Sequence, residues 1–230
     1  MRAVAVVLLT SVLALGACAG GIDAAARADL DKHVAELAIS EETFPPSDVY
    51  LPMAFLVGQW TQHKIVDDKG QPSLLTSKIV VQENGGYWVE FVTESYYGRE
   101  VCKLFVELRS GRDPKGISIL SARVKKGNAA PVVIEPEALD DVRRRYRGYL
   151  DLLSIVFESD VKDDAKVPAG RFIGCFSSQT PGPWGPLGLP TTVCSHPSVP
   201  LSGVVTAKPV GFPGTMELVA FGVGGAESEM

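Results

Sequence analysis

Strand-length apolar runs separated by turn-forming residues recur between residues 53 and 125, and this spacing constrains the fold more than any other feature. Residues 84 to 86 read Asn-Gly-Gly, which is the composition of a tight hairpin turn. After it, Tyr87, Val89 and Phe91 occupy alternate positions on one face of the strand, with Glu90 and Glu94 on the other, so one face of that strand is apolar. The pattern predicts a meander of antiparallel strands with one apolar face.

Two segments have helical rather than strand periodicity. From residue 22 to residue 38, apolar side chains recur every three or four positions, which predicts an amphipathic helix. A second apolar stripe runs from about Pro136 to Ser154, with proline in the first turn and Glu137 near the positive end of the helix dipole. We expect this long second helix to lie on the apolar face of the sheet.

Later segments extend the sheet. Strands are predicted at residues 169–178, 193–195, 201–207 and 216–223, whereas the acidic segment 160–166 and the Pro/Gly-rich segment 180–191 are expected to be loops. The predicted fold class is α+β: a curved antiparallel sheet with an N-terminal amphipathic helix and one long helix packed on it.

The first residues of the chain have the pattern of a secretory signal. Arg2 precedes an apolar run from Ala3 to Leu15, which is too short for the ~20 residues that a membrane-spanning helix needs. The end of the run, Leu15-Gly16-Ala17-Cys18, resembles the lipobox of bacterial lipoproteins. That resemblance implies cleavage before Cys18, lipidation of Cys18 and attachment to a membrane in the bacterial envelope. The alternatives are an ordinary signal peptide that happens to end near a cysteine, or a short membrane helix.

The residue after the lipidated cysteine is Ala19 rather than the aspartate that retains many lipoproteins of this family at the inner membrane, so the outer membrane is favoured. The expected organisation is a signal peptide at 1–17, a lipidated N-terminus with helix and linker at 18–52, and a single β-rich domain at 53–223. We expect residues 224–230 to fray.

The composition excludes several function classes. The net charge is −5, which argues against nucleic acid as a partner. The chain has three isolated histidines, His33, His63 and His196, and lacks both H-E-x-x-H and C-x-x-C, so we expect no metal and no cofactor. It also lacks a G-x-S-x-G elbow, and the adjacent Ser195 and His196 would point to opposite faces of a strand. A hydrolase is therefore only the third choice of function.

Three cysteines remain once Cys18 is assigned to lipid. Cys175 and Cys194 flank the Pro/Gly-rich loop and are the candidate pair for a disulfide in an oxidising periplasm, although reduced thiols remain open. Cys102 lies at an apolar position of its strand and is expected to be a small buried hydrophobe.

Two surface features are candidate contact sites. Arg143, Arg144, Arg145 and Arg147 form the densest basic cluster, which is either a solvated helix face or a contact for anionic headgroups or an acidic partner. Trp184 either covers a ligand, dips into a membrane or packs its own proline-rich loop.

Short motifs carry a second resemblance. They are Val57-Gly58-Gln59-Trp60, Gly85-Gly86-Tyr87-Trp88-Val89-Glu90, Val167-Pro168-Ala169-Gly170-Arg171-Phe172, Pro200-Leu201-Ser202-Gly203-Val204-Val205 and Glu217-Leu218-Val219. The pattern is similar to envelope lipoproteins whose sheets resemble the lipoprotein carriers LolA and LolB. The resemblance implies an incomplete β-barrel covered by helices, with an apolar cavity that accepts acyl chains. No binding residue is transferred from those carriers.

Together these observations predict a non-enzymatic, membrane-anchored lipoprotein that binds a lipid, or the acyl chain of an acylated protein, between sheet and helix. The candidate cavity walls are Tyr87, Val89, Phe91, Leu104, Val106, Tyr146, Tyr149 and Leu153. The alternative is that these residues form a solid core and that the protein is a structural or interaction lipoprotein, an assembly accessory at the outer membrane.

Overall fold

The computed structural model describes residues 21–51, 53–108, 117–153, 161–181, 190–211 and 213–230. At residues 108, 147–149, 151–153, 180–181 and 190 it describes the backbone alone.

The described residues contain twelve strands in a single sheet. The strands are β1 (Thr43–Phe44), β2 (Trp60–Val66), β3 (Pro72–Glu83), β4 (Gly86–Ser95), β5 (Gly98–Leu108), β6 (Ile117–Lys126), β7 (Val132–Val133), β8 (Lys162–Val167), β9 (Gly170–Pro181), β10 (Pro190–Ser195), β11 (Val204–Pro209) and β12 (Thr215–Gly222). Their order is β1-β9-β10-β11-β12-β2-β3-β4-β5-β6-β7, with β8 paired to β9 outside this path. The two ends of the order are not paired with each other, so the sheet is open.

Antiparallel pairing dominates the sheet, as the sequence predicted. Only the short β1 pairs in parallel, with β9, among the described strands. The hairpin turn predicted at residues 84–86 is confirmed: Asn84 and Gly85 connect β3 to β4 with φ values of 49° and 78°. Positive φ at two successive residues is what a type I′ turn requires, and Asn-Gly adopts it at little cost.

The acidic segment that we expected to be a loop contains an edge strand instead. β8 pairs with β9 along Lys162–Val167, and most of its side chains are exposed. Charged residues are common on edge strands because they discourage pairing with another chain. The acidic composition of this segment is therefore compatible with a strand, although the sequence pattern predicts a loop.

The structure has two short helices where longer ones were predicted. α1 covers Ala24–Ala35 and begins where the Asp23 carboxylate accepts the N–H groups of Ala25 and Ala26. Leu30 alone is buried among its residues, so α1 lacks the broad apolar face of the predicted amphipathic helix, since most of its apolar positions are small alanines.

The second helix, α2, covers Leu139–Leu153. The prediction began it at Pro136, but Pro136–Ala138 forms a separate 3-10 turn, so the α-helix starts three residues later. No helix among the described residues is both long and apolar enough to cross a membrane.

Buried apolar residues form a main cluster on one face of the sheet, which we call the sheet–helix cluster. It draws side chains from β3–β6, β9–β12 and α2. A second cluster, around Phe172 and Leu218, lies mainly beside β8–β12, and a third joins Leu30 of α1 to Leu74 and Tyr96.

The segment from residue 224 to residue 230, which we expected to fray, makes defined contacts. The N–H of Ala226 donates to the carbonyl of Gly58 at 2.9 Å, and Ser228 and Glu229 contact the buried carboxylate of Glu90. Polar groups that are distant in sequence hold this segment, so its own composition did not predict that it is ordered.

Candidate functional site

The sheet–helix cluster brings together the candidate cavity residues whose side chains are described. Val89, Phe91, Leu104 and Val106 are each at most 1% exposed, and Tyr87 packs at the edge of the cluster. The alternation along β4 and β5 therefore places these residues on one face. That face is buried and apolar, which suits an apolar ligand or a solid core equally.

One acidic residue of β5 fixes α2 over this cluster. Val142, Tyr146 and Leu150 of the helix are buried in the cluster. The Tyr146 hydroxyl donates to the Glu100 carboxylate, and the Arg145 guanidinium donates to the same carboxylate at 2.9 and 3.1 Å. Bonds from charged donors to a carboxylate are stronger than neutral ones, so Glu100 sets where the helix lies.

The Tyr146 hydroxyl and the Cys102 thiol near Glu100 stay neutral at physiological pH. Burial, the neighbouring Cys102 and the hydrogen bond to Glu100 all raise the pKa of Tyr146. Burial raises the pKa of the Cys102 thiol to about 12. An un-ionised thiol is a poor nucleophile, so Cys102 is a small buried hydrophobe here, as its strand position predicted.

Two aromatic residues of the linker between β1 and β2 also enter the cluster. The Tyr50 ring lies 5.5 Å from Phe176, and its hydroxyl donates to the Ser202 carbonyl at 3.3 Å. Gly203, with φ of 71°, leaves room for that hydroxyl, since a Cβ there would lie 2.1 Å from it. Phe55 packs edge-on against Tyr87, with ring centroids 5.9 Å apart.

Two buried serine hydroxyls on the same face have no hydrogen-bond partner among the residues that the structure describes. They are Ser178 of β9 and Ser195 of β10. Ser178 lies opposite Val193, and Ser195 opposite Phe176, and both of these apolar neighbours belong to the sheet–helix cluster. Nearly all buried polar groups in proteins are satisfied, so these two hydroxyls stand out as polar positions on an otherwise apolar face.

His63 is a buried residue of β2 that sequence reasoning considered only as a catalytic base. Its Nε2–H donates to the carbonyl of Val204 at 3.0 Å, and no described residue contacts its Nδ1 through a hydrogen bond. β11 and β12 pair at only two positions, so His63 bonds to a β11 carbonyl beyond the end of that ladder. Burial lowers its pKa to about 4, and the imidazole is neutral at pH 7.

The other two histidines also have structural partners. The His196 ring accepts the Ser198 N–H through Nδ1 at 3.2 Å and donates from Nε2 to the Pro45 carbonyl at 3.0 Å. Burial lowers its pKa. His33 contacts the Glu94 carboxylate at 3.1 Å. These partners are backbone groups and one carboxylate.

The candidate disulfide pair is reduced but adjacent in the structure. Cys175 and Cys194 are buried free thiols on neighbouring strands. The hydrogen bond between them, together with burial, raises the pKa of Cys175. Cys194 lies opposite Ser177, two residues from Cys175, so the cysteines are diagonal neighbours on one face and a disulfide requires a local shift of the strands.

We expect oxidised glutathione to join Cys175 to Cys194 once mild denaturant loosens the β9–β10 pair, because both thiols are buried from the oxidant in the folded chain. Each thiol loses one proton and one electron, and the oxidant is reduced to two glutathione thiols. Peptide mapping should recover the linked pair at two mass units below the reduced peptides. Cys102 serves as the internal control and should stay reduced, and a Cys175–Cys102 or Cys194–Cys102 product would contradict the expectation.

The basic cluster on α2 is mostly engaged with its own helix. Arg143 pairs with Asp140 at 2.6 Å, and Arg144 pairs with Asp141. Arg145 turns instead toward β5, as described above. These pairings agree with a solvated, self-compensated helix face.

Several candidate residues cannot be placed in the site. Cys18 and Trp184 lie outside the described residues, and for Arg147, Tyr149 and Leu153 only the backbone is described.

Sequence reasoning missed Glu90, Ser178 and Tyr50. Strand alternation placed Glu90 on a solvated face, yet its side chain is fully buried. Ser178 lacked any motif, and Tyr50 lay in a proline-flanked linker. Only the aromatic character of Tyr50 could have indicated that the linker packs against the sheet.

The described residues contain no group of three or more histidine, cysteine or acidic side chains suited to a metal ion. Comparison of the chain with known protein families, curated protein sequences and solved structures finds no match.

Proposed function

We propose that this protein is an envelope lipoprotein, anchored through Cys18 and favoured at the outer membrane, that binds one acyl chain without chemistry. The chain would lie between the sheet and α2, against the residues of the sheet–helix cluster. The observation that carries the proposal is the combination of one continuous apolar face with the two unpartnered hydroxyls of Ser178 and Ser195.

The dimensions of the sheet support an incomplete barrel of the kind that LolA-like carriers have. Twelve strands exceed the ~10 that a strongly twisted open sheet usually reaches before curling. Tyr50 contacts β9 and Phe55 contacts β4, which lie six strand spacings apart, about 29 Å in a flat sheet. Five linker residues extend at most about 18 Å. A rolled sheet would bring both contacts within easy reach.

The serine hydroxyls suit the polar end of an acyl ligand. Ser178 and Ser195 are diagonal neighbours across the β9–β10 pair, so their Cβ atoms lie about 7 Å apart. One ester or carboxyl oxygen placed between them could accept both hydroxyl protons. The alkyl chain would then extend along the apolar cluster.

Replacing both serines by alanine should separate ligand binding from folding. Without ligand, Ser178→Ala with Ser195→Ala should leave the free energy of unfolding unchanged or slightly higher, because two unsatisfied hydroxyls are removed. The affinity for a fluorescent fatty acid, measured from the emission of the probe, should fall about tenfold because both hydrogen bonds to the ligand are lost.

The matched control is Ser118→Ala with Ser121→Ala on β6, which lie opposite Glu107 and Phe105 on the other face of the sheet and should leave probe affinity unchanged. Equal affinity in the Ser178/Ser195 variant and the wild type would contradict the assignment of the polar end. Failure of the wild type to bind any acyl probe would contradict the proposed function itself.

The second candidate function is that of an interaction module with a solid core. The near-complete burial of Val89, Phe91, Leu104 and Val106 favours it, because tight packing of these side chains would leave no room for a chain.

A further inference from the structure

A charged cradle lies on the face of the sheet opposite the sheet–helix cluster. It consists of Lys78, Glu90, Arg99, Lys103 and Lys125, from strands β3 to β6. Lys78, Glu90 and Lys103 stand directly opposite one another across β3, β4 and β5. Glu90 is fully buried and Lys103 is 8% exposed. The sheet register therefore places these charges side by side.

The cradle contacts the main chain of the tail, which we define as residues 224–230. The Glu229 N–H donates to Glu90 Oε1 at 3.0 Å. Lys78 Nζ donates to the Glu227 carbonyl at 3.3 Å, and Lys125 Nζ donates to the Glu229 carbonyl at 3.2 Å. Contacts with three successive points of a backbone specify an extended segment and its direction.

The cradle also contacts two side chains of the tail. The Ser228 hydroxyl donates to Glu90 Oε2 at 2.9 Å and accepts from Lys103 Nζ at 2.8 Å. The Glu229 carboxylate accepts from Lys78 Nζ at 2.5 Å and from the Arg99 guanidinium. These contacts specify the dipeptide Ser-Glu.

The tail is bound through polar contacts that a competing segment could replace. Glu227 and Ser228 are exposed, and the tail follows Gly224 and Gly225, where φ is 85° at Gly225. Its one backbone bond to another loop runs from Ala226 to Gly58. The cradle residues, by contrast, are fixed by strand pairing and do not depend on the tail for their position.

We propose that the cradle is a recognition site for an extended acidic segment of a partner protein that contains Ser-Glu. The tail occupies the site in cis and acts as a built-in competitor. Four cationic side chains outnumber the two carboxylates beside them, Glu90 and the Glu94 that lies 3.9 Å from Arg99, so the cradle keeps a positive charge that an acidic segment complements. Because a tethered ligand acts at an effective concentration in the millimolar range, the site opens only to a partner that outcompetes the tail.

The test releases the tail from the full-length chain, purified in mild detergent. Glu229→Lys places a cation against Lys78 and Arg99 and should displace the tail. The probe is a fluorescein-labelled peptide of sequence GGAESEM, and the matched probe is GGAESQM, which lacks the second carboxylate. We expect the variant to bind GGAESEM about tenfold more tightly than it binds GGAESQM, and about tenfold more tightly than the wild type binds GGAESEM.

The preference for GGAESEM over GGAESQM should shrink as the salt concentration is raised, because the contacts of the second carboxylate with the cradle are ionic. Equal binding of the two probes, no binding of either by the folded variant, or equally tight binding of GGAESEM by wild type and variant would each overturn the proposal.

A second measurement keeps the proposal testable if the variant does not fold. Excess unlabelled GGAESEM added to the wild-type chain should speed amide exchange at residues 226–229, because the tail leaves the cradle. Unchanged exchange at millimolar peptide would overturn the proposal as well.

Discussion

Replacing Glu90 by leucine is expected to lower the free energy of unfolding by about 3–5 kcal/mol, the largest single effect we predict. The carboxylate is fully buried, and Lys78 Nζ lies 3.6 Å from it. Lys103 is buried on the neighbouring strand. Without Glu90, two cations with little access to water would face each other, and the tail would lose its main anchor. Urea unfolding followed by circular dichroism measures the change.

Two further variants test this prediction, one with an intermediate expected effect and one as a control. Glu90→Gln keeps the shape and accepts the Glu229 N–H, so it should fall between leucine and the wild type. Glu217→Leu removes a carboxylate from a partly exposed pair with Lys64, at 3.7 Å, and should cost less than about 1 kcal/mol. A Glu90→Leu protein as stable as the Glu217→Leu protein would contradict a buried charge at this position.

Acidification from pH 6.5 to pH 4 is expected to remove about 3 kcal/mol of stability through His63 alone. Burial lowers the pKa of His63 from 6.5 to about 4 in the folded chain. Above pH 6.5 both states are neutral and stability is fully present. Between the two pKa values, His63 binds a proton in the unfolded chain but stays neutral in the folded chain. Stability therefore falls as the pH falls. Below pH 4 this contribution no longer changes.

The control for this prediction is His63→Gln, whose amide can still donate to the Val204 carbonyl but does not titrate. Other groups titrate in the same range, so the informative quantity is the difference between the two proteins across the pH series. That difference should shrink as the pH falls from 6.5 to 4. Parallel pH profiles would show that His63 is accessible to protons in the folded state.

Local sequence signals predicted the meander well. Asn84-Gly85 directs a type I′ turn through backbone preferences that do not depend on the rest of the chain. Alternation along Tyr87, Val89 and Phe91 predicted which face of the strand carries the apolar cluster, because side chains of a strand alternate whatever covers them.

Features that depend on distant segments were not predictable in this way. Glu90 is covered by Ser228 and Glu229, more than one hundred residues later, and nothing in its strand indicates that cover. β8 forms an edge strand despite its acidic sequence because β9 supplies a partner. Pairing of distant segments decides both outcomes.

The candidate site also combines features that the sequence predicted with features that depend on distant segments. Membership of the sheet–helix cluster followed from periodicity, but the role of Glu100 in fixing Tyr146 required the position of α2. The unpartnered hydroxyls of Ser178 and Ser195 could not be predicted, because a missing partner is a property of the whole folded environment.

Native mass spectrometry of the full-length protein, purified gently from bacterial membranes, tests the central claim most directly. Comparison with the denatured mass separates the covalent lipid on Cys18 from any molecule bound without a covalent bond. The acyl-binding account predicts one fatty acid or phospholipid per chain that is lost on denaturation. A folded protein with no such molecule, which also fails to take up added fatty acid, would contradict it.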